Sequence, residues 1–385
     1  MTASLLRGDL LTGKRWKRSF NNFIRKANAL ERYDVGLTVK RLATELNVEA
    51  SDILKLNSNE NFFIPLSFLR KCLMEVVEEL DPRIYPRDEL IELRQAIARL
   101  FNLKDENLVV GAGSDQLIEL IVNAFLTDGD NVMSIDPTFV IYRRAVRTRG
   151  CRFITVPLKR DFSIDTDSII HLANKAKAKL LFLCSPNNPT ANQFDEASIR
   201  LILEEFDGMT VIDETYADFA RYSVVDWIKE YSNLVVLRTF SKVFGIAGLR
   251  LGYAISNMEL ALALRERFKM PYAVSSVALL MGLKLLGKLD FIMSKVDEAK
   301  KARSELIERL EELDKVEPFP SETNFVLFRL NSVSSNKIYR RLLMQGVIVR
   351  NLGRVLSFDN CLRVTVAPQP MMERFVEALE VAIEG

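Results

Sequence analysis

The 385-residue sequence has little histidine and little cysteine, and both shortages exclude kinds of chemistry. His171 is its single histidine, so the chain does not supply a metal site with several histidine ligands. We expect His171 at a helix surface, because it follows Ile169-Ile170 in a helical pattern. The four cysteines lie far apart without a CxxC pair, which argues against a zinc site and a disulfide scaffold. We therefore expect no metal ion and a reducing, cytoplasmic location.

Long apolar runs are also lacking, because polar or small residues interrupt each stretch before it reaches the length of a membrane span. Opposite charges nearly cancel, at 53 basic against 51 acidic residues. The small excess is uneven, since residues 1–33 carry a net charge of +6 and the remainder carries −4. A mildly acidic body offers no broad surface for nucleic acid. We expect neither a nucleic acid nor a membrane as a partner.

The basic segment at residues 1–33 alternates cations with aromatic rings in Lys14-Arg15-Trp16-Lys17-Arg18-Ser19-Phe20. Such a pattern is compatible with affinity for a nucleic acid or a membrane surface. One short cluster is weak electrostatic support for either partner. We expect instead an arm that lies over a partner subunit, with Trp16, Phe20 and Phe23 on its apolar side.

Short apolar runs alternate with amphipathic stretches through the middle of the chain. Apolar pairs at Leu117-Ile118, Ile121-Val122 and Phe125-Leu126 recur every four residues, which is typical of one helical face. Residues 138–148 and 257–269 follow a similar pattern, as does the stretch 195–206. Strands separated by helices predict a largely parallel sheet covered on both faces. The predicted strands are Leu108–Val110, Asn131–Ile135, Arg152–Val156, Leu180–Leu183, Thr210–Ile212, Leu234–Leu237 and Arg250–Ile255.

The pattern changes near residue 288, where a long charged helix is predicted over Lys288–Leu313. The elements predicted after it are a strand at Asn324–Leu330, a helix at Asn336–Gln345, strands at Val347–Val349 and Leu362–Val366, and a helix at Met371–Ile383. Residues 1–60 contain no obvious strand pairs. We predict an α/β fold with a large domain at residues 61–274, a smaller α+β domain from residues 36–60 and 275–385, and a basic arm at residues 1–35.

Polar residues follow the ends of several predicted strands, where ligands of parallel sheets bind. Gly111-Ala112-Gly113-Ser114-Asp115 opens a helix whose N–H groups suit an anion, although taken alone the two glycines are better explained by a tight turn from strand to helix. Asn188, within Ser185–Thr190, either belongs to a rigid turn or offers a hydrogen bond to a ligand. Asp213 ends an apolar strand, so its carboxylate needs a cation or donors. Lys242 either extends to solvent or, if desolvated, forms a Schiff base.

One ligand requires an anion site, an amide donor, a carboxylate and a lysine together, namely pyridoxal 5′-phosphate (PLP). In this order the segments resemble the fold-type-I PLP-dependent enzymes of the class I/II aminotransferase group, and within it the histidinol-phosphate aminotransferases. The resemblance extends from about Leu54 to the C-terminus. It implies PLP as the cofactor, and a large PLP-binding domain with a mostly parallel sheet flanked by helices.

The resemblance also implies a role for each matching residue. Lys242 resembles the lysine that forms the imine with PLP and, once released, moves a proton at the substrate Cα. Asp213 would keep the pyridine nitrogen protonated, while Tyr216 and Asn188 would bond to the phenolic oxygen of the cofactor. Phe139 resembles the ring that stacks on PLP. The phosphate-binding positions are matched by Ser114, Asp115, Ser241 and Arg250.

Three further residues resemble positions of the family that meet a substrate or a partner. Tyr85 resembles a tyrosine that reaches the cofactor phosphate of the other subunit, which implies a homodimer with shared sites. Arg363 lies in an apolar strand and needs an anion, and it resembles the substrate-anchoring arginine. Arg350 resembles a second anion-binding arginine, although a surface salt bridge explains it equally. Phe62-Phe63 departs from the family pattern, and we expect this pair near the substrate entrance.

The predicted reaction is the transfer of an amino group between a primary amine and a 2-oxo acid. Histidinol phosphate with 2-oxoglutarate, a reaction of histidine biosynthesis, is the first choice. An aromatic or other amino-acid aminotransferase is an alternative, with Arg363 holding a carboxylate. Decarboxylation of threonine phosphate would use most of the same residues. A PLP-dependent regulator is disfavoured, because the basic arm is too short to be a DNA-binding domain.

Overall fold

The computed structural model describes residues 3–30 and 36–384, with side chains from Trp16 onward. The helices are α1 (Ala3–Asn28), α2 (Val39–Leu46), α3 (Leu66–Glu79), α4 (Arg87–Leu100), α5 (Gly113–Phe125), α6 (Val140–Thr148), α7 (Thr166–Lys175), α8 (Glu196–Glu205), α9 (Met258–Ala263), α10 (Ser276–Leu286), α11 (Leu289–Glu311), α12 (Ser335–Met344) and α13 (Gln369–Glu384). The strands are β1 (Leu54–Lys55), β2 (Leu108–Gly111), β3 (Asn131–Asp136), β4 (Arg152–Pro157), β5 (Leu180–Cys184), β6 (Met209–Asp213), β7 (Leu234–Thr239), β8 (Gly252–Ser256), β9 (Val316–Pro318), β10 (Phe325–Leu330), β11 (Val347–Ile348), β12 (Arg350–Val355) and β13 (Phe358–Thr365).

A seven-stranded sheet in the order β2-β8-β7-β6-β5-β3-β4 forms the larger part of the fold. β8 is antiparallel to both of its neighbours, and the other neighbouring strands are parallel. β5 and β7 are buried along their whole length, which explains why β5 is apolar throughout and why β7 is apolar from Leu234 to Leu237. The predicted α/β class with a mostly parallel sheet is therefore confirmed.

Helices cover both faces of this sheet. On α5 the apolar pairs face the core, and Leu117, Ile118 and Ile121 are fully buried. The predicted helix at 257–269 is instead α9 followed by a π-helical turn at Leu264–Phe268. His171 is exposed on α7, as expected.

The predicted strand Arg250–Ile255 begins two residues late, at Gly252. Arg250 adopts a left-handed conformation with φ of 53°, which ends a short turn rather than opening a strand. A non-glycine residue in this conformation is uncommon and often belongs to a functional site. The turn directs the Arg250 side chain towards the start of α5, where it contacts Asp115.

The C-terminal part contains a four-stranded antiparallel sheet in the order β12-β13-β10-β9 together with α11, α12 and α13. The sequence pattern missed β12, because register shifts around Gly353 interrupt its alternation. Residues 36–60 contain the short strand β1, which pairs in parallel with β11 of the C-terminal part rather than with a second strand of its own segment. A strand of two residues is too short for periodicity to reveal.

Residues of the predicted basic arm form the amphipathic helix α1. Every side chain from Trp16 to Ala29 is exposed, and Arg32 lies outside the described residues. Among residues 3–30 and 36–384, no helix is both long enough and apolar enough to span a membrane.

Candidate active site

The carboxyl ends of β5, β6 and β7 open on a cavity of about 570 Å³, in the size range of small-molecule sites. Residues of the four-stranded sheet line the opposite part of the same cavity. Parallel strands direct their final residues to one edge, so segments distant in sequence meet there. The predicted residues that line it are Ser114, Asp115, Phe139, Asn188, Asp213, Tyr216, Ser241, Lys242, Arg250, Arg350 and Arg363.

Lys242 follows β7 and is half-buried in this cavity. Its Nζ atom donates to the backbone carbonyls of Ser58 and Asn59 at 3.1 and 3.0 Å. Burial, reinforced by the positive charge of Arg363, lowers the pKa of Lys242 to about 8. The amine therefore loses its proton near physiological pH, which makes it a candidate nucleophile and proton carrier.

Asp213 is 2% exposed and has no cation beside it among the described residues. Its Oδ1 atom accepts from the backbone N and Oγ1 of Thr215 at 3.0 and 2.6 Å, while its Oδ2 accepts from the Tyr142 hydroxyl at 2.6 Å. Burial raises the pKa of Asp213, and these three bonds oppose the rise. Asp213 is thus a buried carboxylate that would be stabilised by a cationic group in the cavity.

Arg250, Ser114 and Ser241 form the end of the cavity that suits a phosphate. The first N–H groups of a helix have no acceptor within that helix, so the start of α5 favours an anion. Gly113 has φ of 83°, and a Cβ atom there would lie 2.6 Å from Nη2 of Arg250, so a side chain would displace the guanidinium. The Asp115 carboxylate binds Arg250 at 2.9 Å and therefore orients it, leaving the Asp115 backbone N–H for an anion.

A hydrogen-bond network joins the two sheets at the centre of the cavity. Asn59 Nδ2 donates to the Tyr216 hydroxyl at 2.9 Å. Arg363 is 8% exposed, and its guanidinium donates to Asn188 Oδ1 and, at 3.0 Å, to the carbonyl of Asn57. The same guanidinium lies 5.0 Å from the centre of the Phe325 ring. Arg363 is thus fixed beside Asn188, with its charge facing the cavity.

Arg350 and Leu352 lie on β12 and line the outer part of the cavity, together with Arg354. Arg354 is also held by the carbonyl of Leu356, to which its Nε donates at 2.9 Å. Two arginines around an apolar residue suit a ligand that has an anionic group and a nonpolar body.

Tyr85 and the Phe62-Phe63 pair lie outside the lining of the cavity in a single chain, and the role predicted for Tyr85 in the site of a partner subunit stays a prediction. Tyr85 does not line the cavity; it is 73% exposed and stacks on Tyr272 with ring centres 4.7 Å apart. Phe62 and Phe63, expected near the substrate entrance, do not line the cavity. Phe63 is buried, and Phe62 packs against the same hydrophobic core. Two consecutive aromatic residues in sequence gave no signal to separate a core position from a cavity wall.

Sequence reasoning missed Tyr142, Thr215 and Asn59 as polar contacts of the site. Tyr142 lies three residues after Phe139, on the first turn of α6, so helical spacing could have placed the two on one side. Thr215 follows Asp213 by two residues, a spacing typical of a side chain that bonds to a nearby backbone N–H. Asn59 contributes from a segment distant in sequence and had no local signal.

Comparison with known proteins agrees with this geometry. Residues 51–379 match the family model for aminotransferase class I and II. The histidinol-phosphate aminotransferase of Thermoanaerobacter sp. (strain X514) is 36% identical over 313 residues, covering 81% of this chain and 88% of that protein. The chain belongs to the class I and II aminotransferases. The histidinol-phosphate aminotransferase of Methanosarcina mazei is similar to it as well, at 34% identity over 357 residues.

Solved structures show the same fold. The histidinol-phosphate aminotransferase of Sinorhizobium meliloti, determined in complex with PLP, has a TM-score of 0.82 at 22% identity, covering 92% of this chain and 98% of that one. The L-threonine-O-3-phosphate decarboxylase of Porphyromonas gingivalis has a TM-score of 0.75 at 25% identity, covering 86% and 100%. The predicted fold type is confirmed.

The residues of the cavity fit PLP, the cofactor of this family. Lys242 provides an amine whose pKa is lowered to about 8. Asp213 provides a buried carboxylate bound only by uncharged donors. Arg250 and the start of α5 provide the phosphate end, where Gly113 leaves room for the guanidinium. The predictions of a PLP-dependent aminotransferase and of PLP as its cofactor are confirmed.

Proposed function

We propose that this enzyme transfers the amino group between histidinol phosphate and 2-oxoglutarate, a step of histidine biosynthesis. The observation that carries the proposal is the presence of Lys242, Arg363 and Arg350 in one cavity. Both proposed substrates are amines or oxo acids with an anionic group, which arginine binds well. The names of relatives 36% identical support the choice of a phosphorylated amine.

When bound, PLP supplies a ring that accepts electrons released at the substrate Cα. We assign the proton at that carbon to the Lys242 amine, whose pKa of about 8 lets it take and return a proton near neutral pH. Asp213 would hold the positive charge of the ring nitrogen. Tyr216 and Asn188 would hydrogen-bond to the phenolic oxygen, and Phe139 would pack on the ring.

Binding of the cofactor phosphate is assigned to Arg250, Ser241, Ser114 and the backbone N–H of Asp115. Arg250 provides a permanent positive charge whose orientation is set by Asp115 at 2.9 Å. Arg363 and Arg350 are assigned to the substrate anion. For histidinol phosphate that anion is the phosphate, and for glutamate it is a carboxylate.

Decarboxylation of threonine phosphate is the second candidate, because the Porphyromonas gingivalis decarboxylase has the same fold at 25% identity. An aromatic aminotransferase is the third, in which Arg363 would hold the α-carboxylate. Both use the residues assigned above, so they differ from the proposal only in the substrate that reacts.

Single half-reactions separate these candidates. Holoenzyme is mixed with one amino donor at a time, and the absorbance of the bound cofactor is followed. The proposal expects histidinol phosphate and glutamate to convert the cofactor fully and without carbon dioxide release. Conversion by tyrosine or phenylalanine but not by histidinol phosphate would overturn the substrate assignment. Carbon dioxide release from threonine phosphate would favour the decarboxylase.

The matched control is Tyr231→Phe. It removes a hydroxyl that is bonded to Glu204 at 2.8 Å and lies outside the cavity.

We also propose a homodimer in which Tyr85 of each subunit meets the cofactor phosphate of the other. Large apolar side chains are exposed around it, and Tyr85 and Met270 are 73% and 71% exposed. Monomers rarely leave such a patch open to water. Sedimentation equilibrium of holoenzyme should give twice the 43.9 kDa chain mass, and Tyr85→Ala should weaken PLP retention. A monomer that retains PLP fully would contradict this proposal.

The arm is proposed to lie on the partner subunit through the apolar side of α1. Trp16 and Phe23 are 68% and 64% exposed in the single chain, and Trp227 is 6% exposed. In Trp227→Phe, Trp16 becomes the only tryptophan, and its emission should shift to the red when the dimer is diluted to monomers. Emission typical of water at all concentrations, or a blue shift only with anionic lipid vesicles, would contradict it.

The four free, buried cysteines support a reducing, cytoplasmic location.

A further inference from the structure

Asp213 has an asymmetric set of hydrogen-bond donors. Both bonds from Thr215 go to Oδ1, and the bond from the Tyr142 hydroxyl goes to Oδ2. Each carboxylate oxygen has about two lone pairs. Oδ1 is therefore saturated, while Oδ2 retains capacity for one further donor. Because Asp213 lines the cavity, that capacity is available to a ligand there.

Tyr142 is fixed where this bond can form. Its side chain is fully buried, and its ring stacks on Phe182 with centres 4.7 Å apart and an angle of 6°. It also forms a T-shaped contact with the ring of Phe139, with ring centres 5.6 Å apart. Burial and the charge of Asp213 raise the pKa of the Tyr142 hydroxyl, so that hydroxyl keeps its proton and donates it.

The other titratable groups around Asp213 do not replace this donor. The Cys184 thiol on β5 donates to the carbonyl of Pro186 at 3.2 Å, and burial raises its pKa. Asp115 on α5 carries the same sign of charge and raises the pKa of Asp213. Tyr216 has a pKa raised by burial and accepts its own bond from Asn59.

We propose that Tyr142 is a positioning residue whose hydroxyl holds the Asp213 carboxylate in one orientation, ionised, for the ring nitrogen of the cofactor. This rests on the proposed role of Asp213 itself. The residue acts through Asp213 and does not line the cavity, so its removal should alter the charge state of the site without altering substrate contacts.

Tyr142→Phe tests the proposal, because it removes only the hydroxyl and keeps the ring stacked on Phe182. Loss of one donor raises the pKa of the carboxyl, so protonation occurs at higher pH. The acid limb of the kcat profile should move up by about one pH unit, with kcat about tenfold lower on that limb and KM nearly unchanged. The affinity of the apoprotein for PLP should fall by about tenfold in the same acid range and recover at higher pH.

A second pair of variants keeps the test decisive if Tyr142→Phe folds poorly. Thr215→Val removes the 2.6 Å hydroxyl bond to Oδ1, and Thr215→Ser retains a hydroxyl. The proposal expects Thr215→Val to shift the acid limb of the kcat profile in the same direction but by a smaller amount, because the bond from the backbone N–H of residue 215 remains. In Thr215→Ser the acid limb should return to its wild-type position. Tyr231→Phe is the control for loss of a tyrosine hydroxyl elsewhere.

Two results would overturn the proposal. One is a Tyr142→Phe profile and PLP affinity that match wild type at every pH. The other is a loss of activity that is equal at all pH values and accompanied by a lower unfolding temperature, which would indicate a packing role only. Asp213→Asn distinguishes failure of the role proposed for Asp213 from failure of the role proposed for Tyr142. If Asp213→Asn is fully active, the role of Asp213 fails. If Asp213→Asn is strongly impaired while Tyr142→Phe behaves as wild type, only the role of Tyr142 is refuted.

Discussion

Asp213 and Glu214 are consecutive buried carboxylates at the end of β6, 2% and 1% exposed, yet their surroundings differ in charge. Glu214 meets the Arg238 guanidinium at 3.1 Å and accepts from Ser223 and Val224, each at 2.6 Å. Asp213 is bound only by uncharged donors among the residues that the structure describes. A buried charge needs a partner. The protein supplies that partner to Glu214, whereas the cofactor is expected to supply it to Asp213.

This difference separates a stabilising region from a ligand-binding one within two residues of sequence. The Glu214–Arg238 pair connects the end of β6 to β7, and neither residue lines the cavity. Arg238 also binds Asp218 at 2.9 Å. The Asp213 side chain faces the cavity that holds Lys242. Substitutions on the two sides should therefore affect different measurements.

The largest effect is expected from Asp213→Asn. An asparagine amide cannot hold the positive charge of the ring nitrogen, so kcat should fall by about 10³-fold. The free energy of unfolding of the apoprotein should stay constant or rise, because a buried unpaired carboxylate is removed. Steady-state kinetics and urea unfolding of the same preparation measure both quantities.

Glu214→Gln is the matched variant, and its expected effect is the reverse. The free energy of unfolding should fall by about 3 kcal/mol, because the buried Arg238 loses the buried carboxylate of Glu214 and keeps the carboxylate of the half-buried Asp218. The kcat of the folded fraction should remain close to wild type. If Glu214→Gln lost catalysis but kept its stability, the distinction between a stabilising Glu214 and a ligand-binding Asp213 would be contradicted.

Arg363→Lys extends the comparison to the substrate end. A lysine cannot reproduce the contacts of the guanidinium with Asn188 and Asn57, so the anion site loses its geometry. The KM for histidinol phosphate should rise by about 30-fold, with a smaller change in kcat. Arg350→Met should raise the same KM by about tenfold. If either variant lowered kcat without raising KM, that arginine would act in the chemical step, as Asp213 does, rather than in substrate binding.

Lys242 should make the stability of the apoprotein depend on pH. Its pKa is about 8 in the folded protein against 10.5 as the ordinary value, so the unfolded chain binds more protons between these two pH values. Stability should therefore rise from pH 8 to 10.5, and below pH 8 the penalty should be complete. Lys242→Met lacks this dependence, and its unfolding temperature should exceed that of wild type at pH 7 and approach it at pH 10.5. If the unfolding temperatures of wild type and Lys242→Met changed with pH in the same way, the lowered pKa assigned to Lys242 would be contradicted.

The smallest expected effect belongs to Ser223→Ala. This variant removes the 2.6 Å bond from the Ser223 hydroxyl to Glu214. The free energy of unfolding should fall by about 1.5 kcal/mol, with no change in the acid limb of activity. A shift of that limb would mean that Glu214 and Asp213 titrate together.

Much of this site was predictable from sequence, because buried parallel strands are apolar throughout and place their next residues at one edge. Asn188, Asp213 and Lys242 were found in this way. The donors to Asp213 were not, since Tyr142 reaches it from a helix 71 residues away in sequence. Periodicity reports which face of an element is buried, not which polar atom meets which.

The arginine-bearing strand shows the same limit. β12 contains Gly353 and two register shifts, so its alternation is lost in the sequence although its residues line the cavity. Phe62 and Phe63 were expected near the substrate entrance, whereas Phe63 belongs to the hydrophobic core and Phe62 packs against it. Pairing between strands and packing between sheets decided both cases.

The most direct test of the account is the visible absorbance of the purified protein and of Lys242→Ala. The wild type is expected to carry the absorbance of bound PLP and to lose it when histidinol phosphate is added as the only donor. Lys242→Ala should lack that response, with the same fold by circular dichroism. A colourless wild type that cannot be reconstituted with PLP, or a Lys242→Ala variant that completes turnover at the wild-type rate, would contradict the account.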